Sequence, residues 1–378
     1  MQHFSNVTYT KAIGIILMVL GHSGTISYIY DFIDMFHMPL FFFCAGYCFK
    51  DSYYSRPVTF VWRRVKGLWW PYVKWSLLFL LLHNLFVQAG FYGVYYNVNW
   101  NCLFDKEEML QHASSILTAM EGQEVLLWPY WFMKALLYGS LIGYCTLFGA
   151  YIFNKAFRLF LRKLGKTPQD ISLAIKSVGT GIILVLLMRC NQIHDTFSIL
   201  LLTPQHFLAA LFFIIGHIFA SSNVRRLLLP AVLAAFVIVF IGSRYWCTQA
   251  YHTFYDNRII LPYIVTAVIG TWMVYSLPWH QMGQRVTKLM HYIGTHTLVI
   301  LTWHLLCFKL VSLIIIYVYG LPHERLADFP IIAEYATQGW WIIYLFAGVF
   351  IPISINRFVA MCQATLLTFY DKRIHTHQ

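Results

Sequence analysis

Lys11 and His22 are the two residues whose types and spacing most directly suggest chemistry. They flank ten residues that are almost all apolar, so a helix through this stretch places both side chains on one face, about 16 Å apart along the axis. Imidazole titrates near neutral pH and can act as general base on a hydroxyl, while lysine can bind an anion. The alternative is an interfacial lysine and a histidine that hydrogen-bonds to a neighbouring helix.

A second candidate is the basic run Arg63-Arg64-Val65-Lys66, which precedes Gly67-Leu-Trp-Trp-Pro-Tyr72. Because guanidinium groups pair bidentately with phosphate, such a run is typical of a clamp for a phosphorylated cytosolic donor. The same cluster is also typical of a topology determinant or of a contact with anionic lipid. The residues by themselves leave both interpretations open.

Further polar residues lie in apolar surroundings and extend the candidate site. Lys134 follows a cluster of aromatic residues that suits a sugar ring, although an interfacial aromatic belt has the same pattern. His304 and Lys309 fall in one apolar segment and imply a polar cavity or a buried pair. Asp34 can contact His22 only if the chain folds back. We predict the substrate contacts Asp34, His37, Trp131, Lys134 and His304, and no metal site.

The composition indicates a membrane protein. Of the 378 residues, 59% are hydrophobic and only 11% are charged, whereas soluble domains have about 25% charged residues. The net charge of +12 does not indicate a nucleic-acid partner, because the basic residues are scattered between apolar segments. We therefore predict an all-α, polytopic fold in contact with lipid.

The apolar segments predict about ten transmembrane helices. Each is long enough, or nearly so, to cross about 30 Å of hydrocarbon, and the second is short and contains Pro39. The longest connection, 89–127, has weak helical character at 106–120. We predict a single membrane domain over residues 1–378, with no separate soluble domain. The predicted spans are 11–30, 34–50, 67–88, 128–152, 171–188, 204–220, 227–243, 259–278, 295–319 and 339–361.

The distribution of basic residues predicts the orientation. Most of the 27 Lys and Arg residues fall in alternate connections, with the largest groups at 50–66 and 155–176. The positive-inside rule assigns these connections to the cytoplasm. Both termini are then cytoplasmic, and we expect a multi-pass protein of the inner (plasma) membrane. The sequence leaves a homo-oligomer open.

Six segments spread over the chain form a recognisable set of motifs. They are Lys11 with Val-Leu-Gly-His22-Ser, Phe36-His-Met-Pro-Leu-Phe-Phe-Phe43, the Arg63 run before Pro71-Tyr72, Trp131-Phe132, Phe212-Phe-Ile-Ile-Gly216 and Gly294-Thr-His-Thr-Leu through His304. Together they resemble acyltransferase family 3, whose members O-acetylate surface polysaccharides and include fucose 4-O-acetylase-like proteins. The resemblance covers nearly the whole chain. Two positions depart from the usual pattern, since Lys11 stands where the family has Arg and Ala45 where it has Ser.

The resemblance implies transfer of an acyl group, typically acetyl, from cytosolic acetyl-CoA to a sugar hydroxyl of a surface glycan or its lipid-linked precursor. His22 and Lys11 would be catalytic, with His22 as the base. Arg63, Arg64 and Lys66 would bind the phosphates of the donor. The alternatives are a polysaccharide transporter, in which intramembrane His and Lys line a pathway, and a non-enzymatic helper of a glycan synthase.

Overall fold

The protein is almost entirely helical. The computed structural model describes residues 2–95, 98–122, 124–164, 173–194, 202–222, 224, 226–246 and 260–375. The start of the fifth predicted span, at 171–172, lies outside these residues. Helices account for 83% of the structure, and there is almost no strand, which confirms the all-α class.

The helices up to the long connection are α1 (Gln2–His22), α2 (Ser27–Asp34), α3 (His37–Tyr47), α4 (Pro57–Arg64), α5 (Trp70–Leu81) and α6 (His83–Gln88). A π turn (Val65–Trp69) joins α4 to α5. The later helices are α7 (Lys106–Ala119), α8 (Trp131–Lys163), α9 (Leu173–His194), α10 (Pro204–Ser221), α11 (Leu229–Trp246), α12 (Ile260–Tyr275), α13 (Gln284–Thr295), α14 (Thr297–Tyr319) and α15 (Trp341–His375).

Five stretches of helix within the described residues are long and apolar enough to cross a membrane. The helices Gly179–Arg189 and Ile260–Tyr275 are also apolar but shorter. The protein is therefore an all-α integral membrane protein, while the number of about ten spans stays a prediction. The five stretches are Val125–Lys163, Pro204–Ser221, Leu229–Trp246, Thr297–Tyr319 and Ala333–Gln363.

Helix α1 differs from the predicted span 11–30. It begins at Gln2 and ends at His22, because Gly24 adopts a positive φ of 75°, a conformation that commonly ends helices. The Ser23 hydroxyl donates to the Leu20 carbonyl at 2.8 Å within this last turn. His22 consequently lies at the end of a helix rather than in the middle of a continuous span.

After this turn the chain folds back, and α3 packs beside α1. Helix α3 also packs closely against α10. A Cβ atom on Gly46 would lie 1.7 Å from the Phe213 carbonyl oxygen, and one on Gly216 would lie 2.1 Å from the Phe43 carbonyl oxygen. Glycine at both positions lets the two backbones approach, as small residues do in other membrane helices. This contact fixes α3 against α10.

The connection 89–127 folds as an extension of the membrane domain. It contains a two-stranded antiparallel hairpin, β1 (Val94–Tyr95) with β2 (Val98–Asn99). Helix α7 has a capping box between Asp105 and Glu108, which explains why it forms despite weak helical character. His83 Nδ1 and Glu124 Oε2 lie 2.9 Å apart, and both side chains are fully buried. This pair ties the end of the connection to α6.

Candidate active site

One cavity of about 330 Å³ lies between α1, α3, the π turn, the start of α8 and α14. Helix α1 contributes residues at spacings of three and four, which is a single helical face. The predicted pair Lys11 and His22 therefore lines the same cavity. The lining residues of α1 are Val7, Lys11, Ile15, Met18 and His22.

The histidine end of the cavity is formed by His22 and His37. His37 lies at the start of α3, and its Nδ1 donates a hydrogen bond of 3.0 Å to the Ile33 carbonyl. Asp34 is half-buried and lies near His37, but it does not line the cavity. Of these two predicted substrate contacts, the structure thus brings only His37 to the cavity surface.

The cationic end is formed by Lys11 and Arg64. The Arg64 guanidinium lies over the Phe60 and Phe213 rings, with its carbon 5.1 Å and 5.7 Å from their centroids. Cys48, at the end of α3, lies close to both cations. The cationic end therefore lies beside the middle of α1 and the end of α3, whereas the histidine end lies beside the end of α1 and the start of α3.

The three predicted phosphate-binding residues separate in the structure. Arg64 lines the cavity, as do Gly67 and Leu68 of the π turn. Arg63 is exposed and donates a hydrogen bond of 2.8 Å to the Tyr53 hydroxyl. Lys66 is exposed as well. Arg63 and Arg64 are the last two residues of α4, and adjacent residues on a helix point about 100° apart, which is why this short run does not point in one direction.

The wall between the two ends is mostly apolar. It suits a flexible organic chain better than a hydrated ion, because it offers dispersion contacts and few hydrogen bonds. The larger apolar side chains of this wall include Met18, Met38, Phe41, Phe132, Met133, Leu136, Leu298 and Leu301.

The two predicted residues at the start of α8 have different environments. Trp131 lines the cavity. Lys134 instead forms an ion pair with Glu121, with Nζ and Oε1 2.5 Å apart, and it does not line the cavity. The connection before α8 folds back over this lysine, which explains how a residue predicted to bind substrate becomes an anchor for that connection.

His304 differs from its predicted role in direct substrate binding. It is fully buried and lies behind His22, outside the cavity lining. Its Nε2 is 3.2 Å from His22 Nδ1, and the two ring planes are inclined by 21° with their centroids 5.3 Å apart. His304 therefore contacts a cavity residue rather than the cavity itself.

The lining residues that were not predicted as site residues include Cys48 and Thr297. Cys48 carries no motif, although its spacing of four and eleven residues from Cys44 and His37 places all three on one face of α3. Thr297 begins α14 and also lines the cavity. Nothing in the sequence distinguishes this threonine from others at helix ends.

Comparison with known proteins decides the family. The model of an acyltransferase domain matches residues 4–357, nearly the whole chain. The protein belongs to acyltransferase family 3. No curated protein and no solved structure matches the chain significantly.

As a membrane acyltransferase, the protein needs a base near the acceptor hydroxyl and a place for an activated acyl donor. The cavity offers an imidazole at one end and two cations at the other, separated by an apolar wall. An imidazole can remove a proton from a hydroxyl, and cations stabilise anionic groups of a donor. The lining residues therefore include the side-chain types that acyl transfer uses.

Proposed function

We propose that this acyltransferase transfers an acetyl group from cytosolic acetyl-CoA to a sugar hydroxyl of a cell-surface polysaccharide or its lipid-linked precursor. The observation that carries the proposal is the shared cavity of His22, Lys11 and Arg64. The eleven residues from Lys11 to His22 span about 16 Å of helix. The extended pantetheine arm of CoA has a comparable length, so phosphates bound at the cationic end leave the thioester near His22.

In the proposed reaction, His22 takes the proton of the acceptor hydroxyl as its oxygen attacks the thioester carbonyl. The tetrahedral intermediate then expels the CoA thiolate, which takes the proton back from His22. The products are an O-acyl sugar and free CoA. Lys11 and Arg64 bind donor phosphates, and the apolar wall excludes water that would otherwise hydrolyse the thioester.

The acceptor is proposed to enter at the histidine end. Trp131 lines the cavity and offers an aromatic face to a sugar ring, while His37 can hydrogen-bond to its hydroxyls. Asp34 supports His37 rather than touching the sugar. The proposed topology is a single domain of about ten spans in the inner (plasma) membrane, with both termini in the cytoplasm. In this topology the cationic end of the cavity faces the cytosol.

Mass spectrometry of cell-surface glycans tests this function. We compare the natural host, a deletion strain and the deletion strain carrying the wild-type gene. Loss of one acyl ester with unchanged polysaccharide, restored by the gene, supports the proposal and gives the mass of the acyl group. Loss of the entire surface glycan contradicts it and supports a transporter instead.

A further inference from the structure

The histidine pair formed by His22 and His304 defines which nitrogen of His22 can act as the base. His22 Nδ1 faces His304 Nε2 at 3.2 Å. His22 lines the cavity, whereas His304 is fully buried behind it. Two neutral imidazoles in this arrangement share one hydrogen, and its position depends on the tautomer of the buried ring.

The backbone of α14 sets that tautomer. His304 Nδ1 lies 3.1 Å from the carbonyl oxygen of Ile300 and 3.1 Å from that of Leu301. Carbonyl oxygens only accept hydrogen bonds, so Nδ1 must carry the hydrogen and donate to both. In a neutral ring, Nε2 then holds a lone pair and can only accept.

The His304 ring is neutral because its surroundings cannot stabilise a charge. It has no exposed surface, and its packing neighbours include the edge-to-face ring of Phe308 and Gly348. A buried charge without a counter-ion costs several kcal/mol or more. With Nε2 as an acceptor, the shared hydrogen belongs to His22 Nδ1.

We propose that His304 is a positioning residue that holds His22 in the Nδ1–H tautomer and so leaves its Nε2 lone pair for the acceptor hydroxyl. This inference rests on the proposed function of His22 as the base. The Nδ1–H tautomer is not the one that a free histidine side chain prefers in water, which is the Nε2–H tautomer. Without His304, the favoured tautomer would present a hydrogen where a lone pair is required.

The histidine pair also accounts for the path of the proton during turnover. His22 Nε2 receives the hydroxyl proton and later gives it to the thiolate of CoA. Throughout, the Nδ1 hydrogen stays on His22, and its bond to His304 Nε2 strengthens while His22 carries a positive charge. His304 neither gains nor loses a proton, and it orients the base as the third group of a catalytic triad does.

Two substitutions separate this role from simple packing. His304→Gln places an amide oxygen near the former Nε2 position, where it can accept from His22 Nδ1, whereas His304→Phe keeps the ring without an acceptor. Thr302→Val is the matched control on α14, because it removes a buried hydrogen bond of 2.6 Å to Tyr130 at a distance from His22. The assay uses radiolabelled acetyl-CoA and membranes that contain the host's own glycan acceptor.

We expect His304→Phe to lower kcat about 100-fold with the KM for acetyl-CoA within about twofold of wild type, since a base in the wrong tautomer loses its catalytic contribution. We expect the kcat of His304→Gln to be at least about tenfold higher than that of His304→Phe. Thr302→Val should keep the wild-type activity per folded protein. Equal activity of the Gln and Phe variants overturns the proposal. Full activity of His22→Ala instead overturns the proposed function itself.

Nitrogen NMR of histidine-labelled wild-type protein gives a measurement that does not depend on turnover. The His22 signals are assigned by comparison with His22→Gln. We expect the shifts of a protonated Nδ1 and an unprotonated Nε2 in the resting enzyme, and conversion toward the opposite tautomer in His304→Phe. A protonated Nε2 in the wild-type protein contradicts the inference.

Discussion

At the scale of single residues, the two adjacent arginines illustrate how the structure divides a motif. Arg64 lines the cavity beside Lys11, whereas Arg63 is exposed and bonds to Tyr53. Both are arginines at the end of α4, so composition and net charge cannot show which of them lines the cavity. Under the proposed function we therefore expect Arg64, and not Arg63, to contact the donor.

Arg64→Ala should raise the KM for acetyl-CoA by about tenfold or more, because hydrogen bonds to charged groups contribute about 1.5–3 kcal/mol. The kcat should change much less, since Arg64 lies at the far end of the cavity from His22. The measurement is acetyl transfer in membranes over a range of acetyl-CoA concentrations.

Arg63→Ala is the matched control and should leave the KM for acetyl-CoA within about twofold of wild type, because an exposed surface contact contributes little. Equal increases in KM for the two variants would mean that the run acts as a diffuse basic patch. No change in either variant would remove the arginines from donor binding.

Sequence reasoning could identify the chemistry of these residues but not their contacts. The shared face of Lys11 and His22 follows from helical periodicity, and the cavity contains both. The contact between His22 and His304 joins residues 282 positions apart, and no periodicity encodes it. Helical spacing predicts that Arg63 and Arg64 point about 100° apart, but it does not say which of the two lines the cavity.

At the scale of elements, the crossing of α3 and α10 positions one wall of the cavity. Gly46 and Gly216 let the two backbones touch, and α3 carries His37, Phe41 and Cys44 into the lining. A shift of α3 would move the histidine end and the cationic end together. The crossing therefore matters for activity as well as for stability.

Gly46→Ala should destabilise the protein by about 1–3 kcal/mol and lower activity, because the new methyl group would overlap the Phe213 carbonyl. Gly149→Ala on α8 is the control, since a Cβ there meets no atom within 4 Å and alanine favours a helix. Thermal unfolding in detergent should show a lower unfolding temperature than wild type for Gly46→Ala but not for Gly149→Ala. Similar transitions for both variants would contradict the close packing.

The elements were predictable mainly where apolar runs are long. Helices α8, α10, α14 and α15 lie where the sequence predicts spans. The end of α1 at His22 was missed, because the predicted span continued through Gly24, whose positive φ depends on the chain folding back into α2. A single glycine in a predicted span is compatible with either a continuing helix or a turn.

At the scale of the whole molecule, the account requires the cationic end of the cavity to face the cytosol. Cys48 is an exposed thiol that lines this end, close to Lys11 and Arg64. It therefore reports both the side of the membrane and the occupancy of the cavity. Cys362 is also exposed but does not line the cavity.

A variant that keeps only Cys48 should react with a membrane-impermeant maleimide in inside-out vesicles and not in right-side-out vesicles. Added CoA should slow the reaction by about tenfold, because phosphates bound at Lys11 and Arg64 would cover the thiol. A variant that keeps only Cys362 is the control, which CoA should not protect. Labelling of Cys48 from the outer side would reverse the proposed topology.

The claim on which the account depends is that His22 performs the acyl transfer, and the ester content of the glycan tests it most directly. The deletion strain receives either the wild-type gene or His22→Ala, at matched amounts of folded protein in the membrane. The account predicts that the variant restores about 1% or less of the wild-type ester content, since a general base contributes about 100-fold or more. Ester content close to that of the wild type would contradict it.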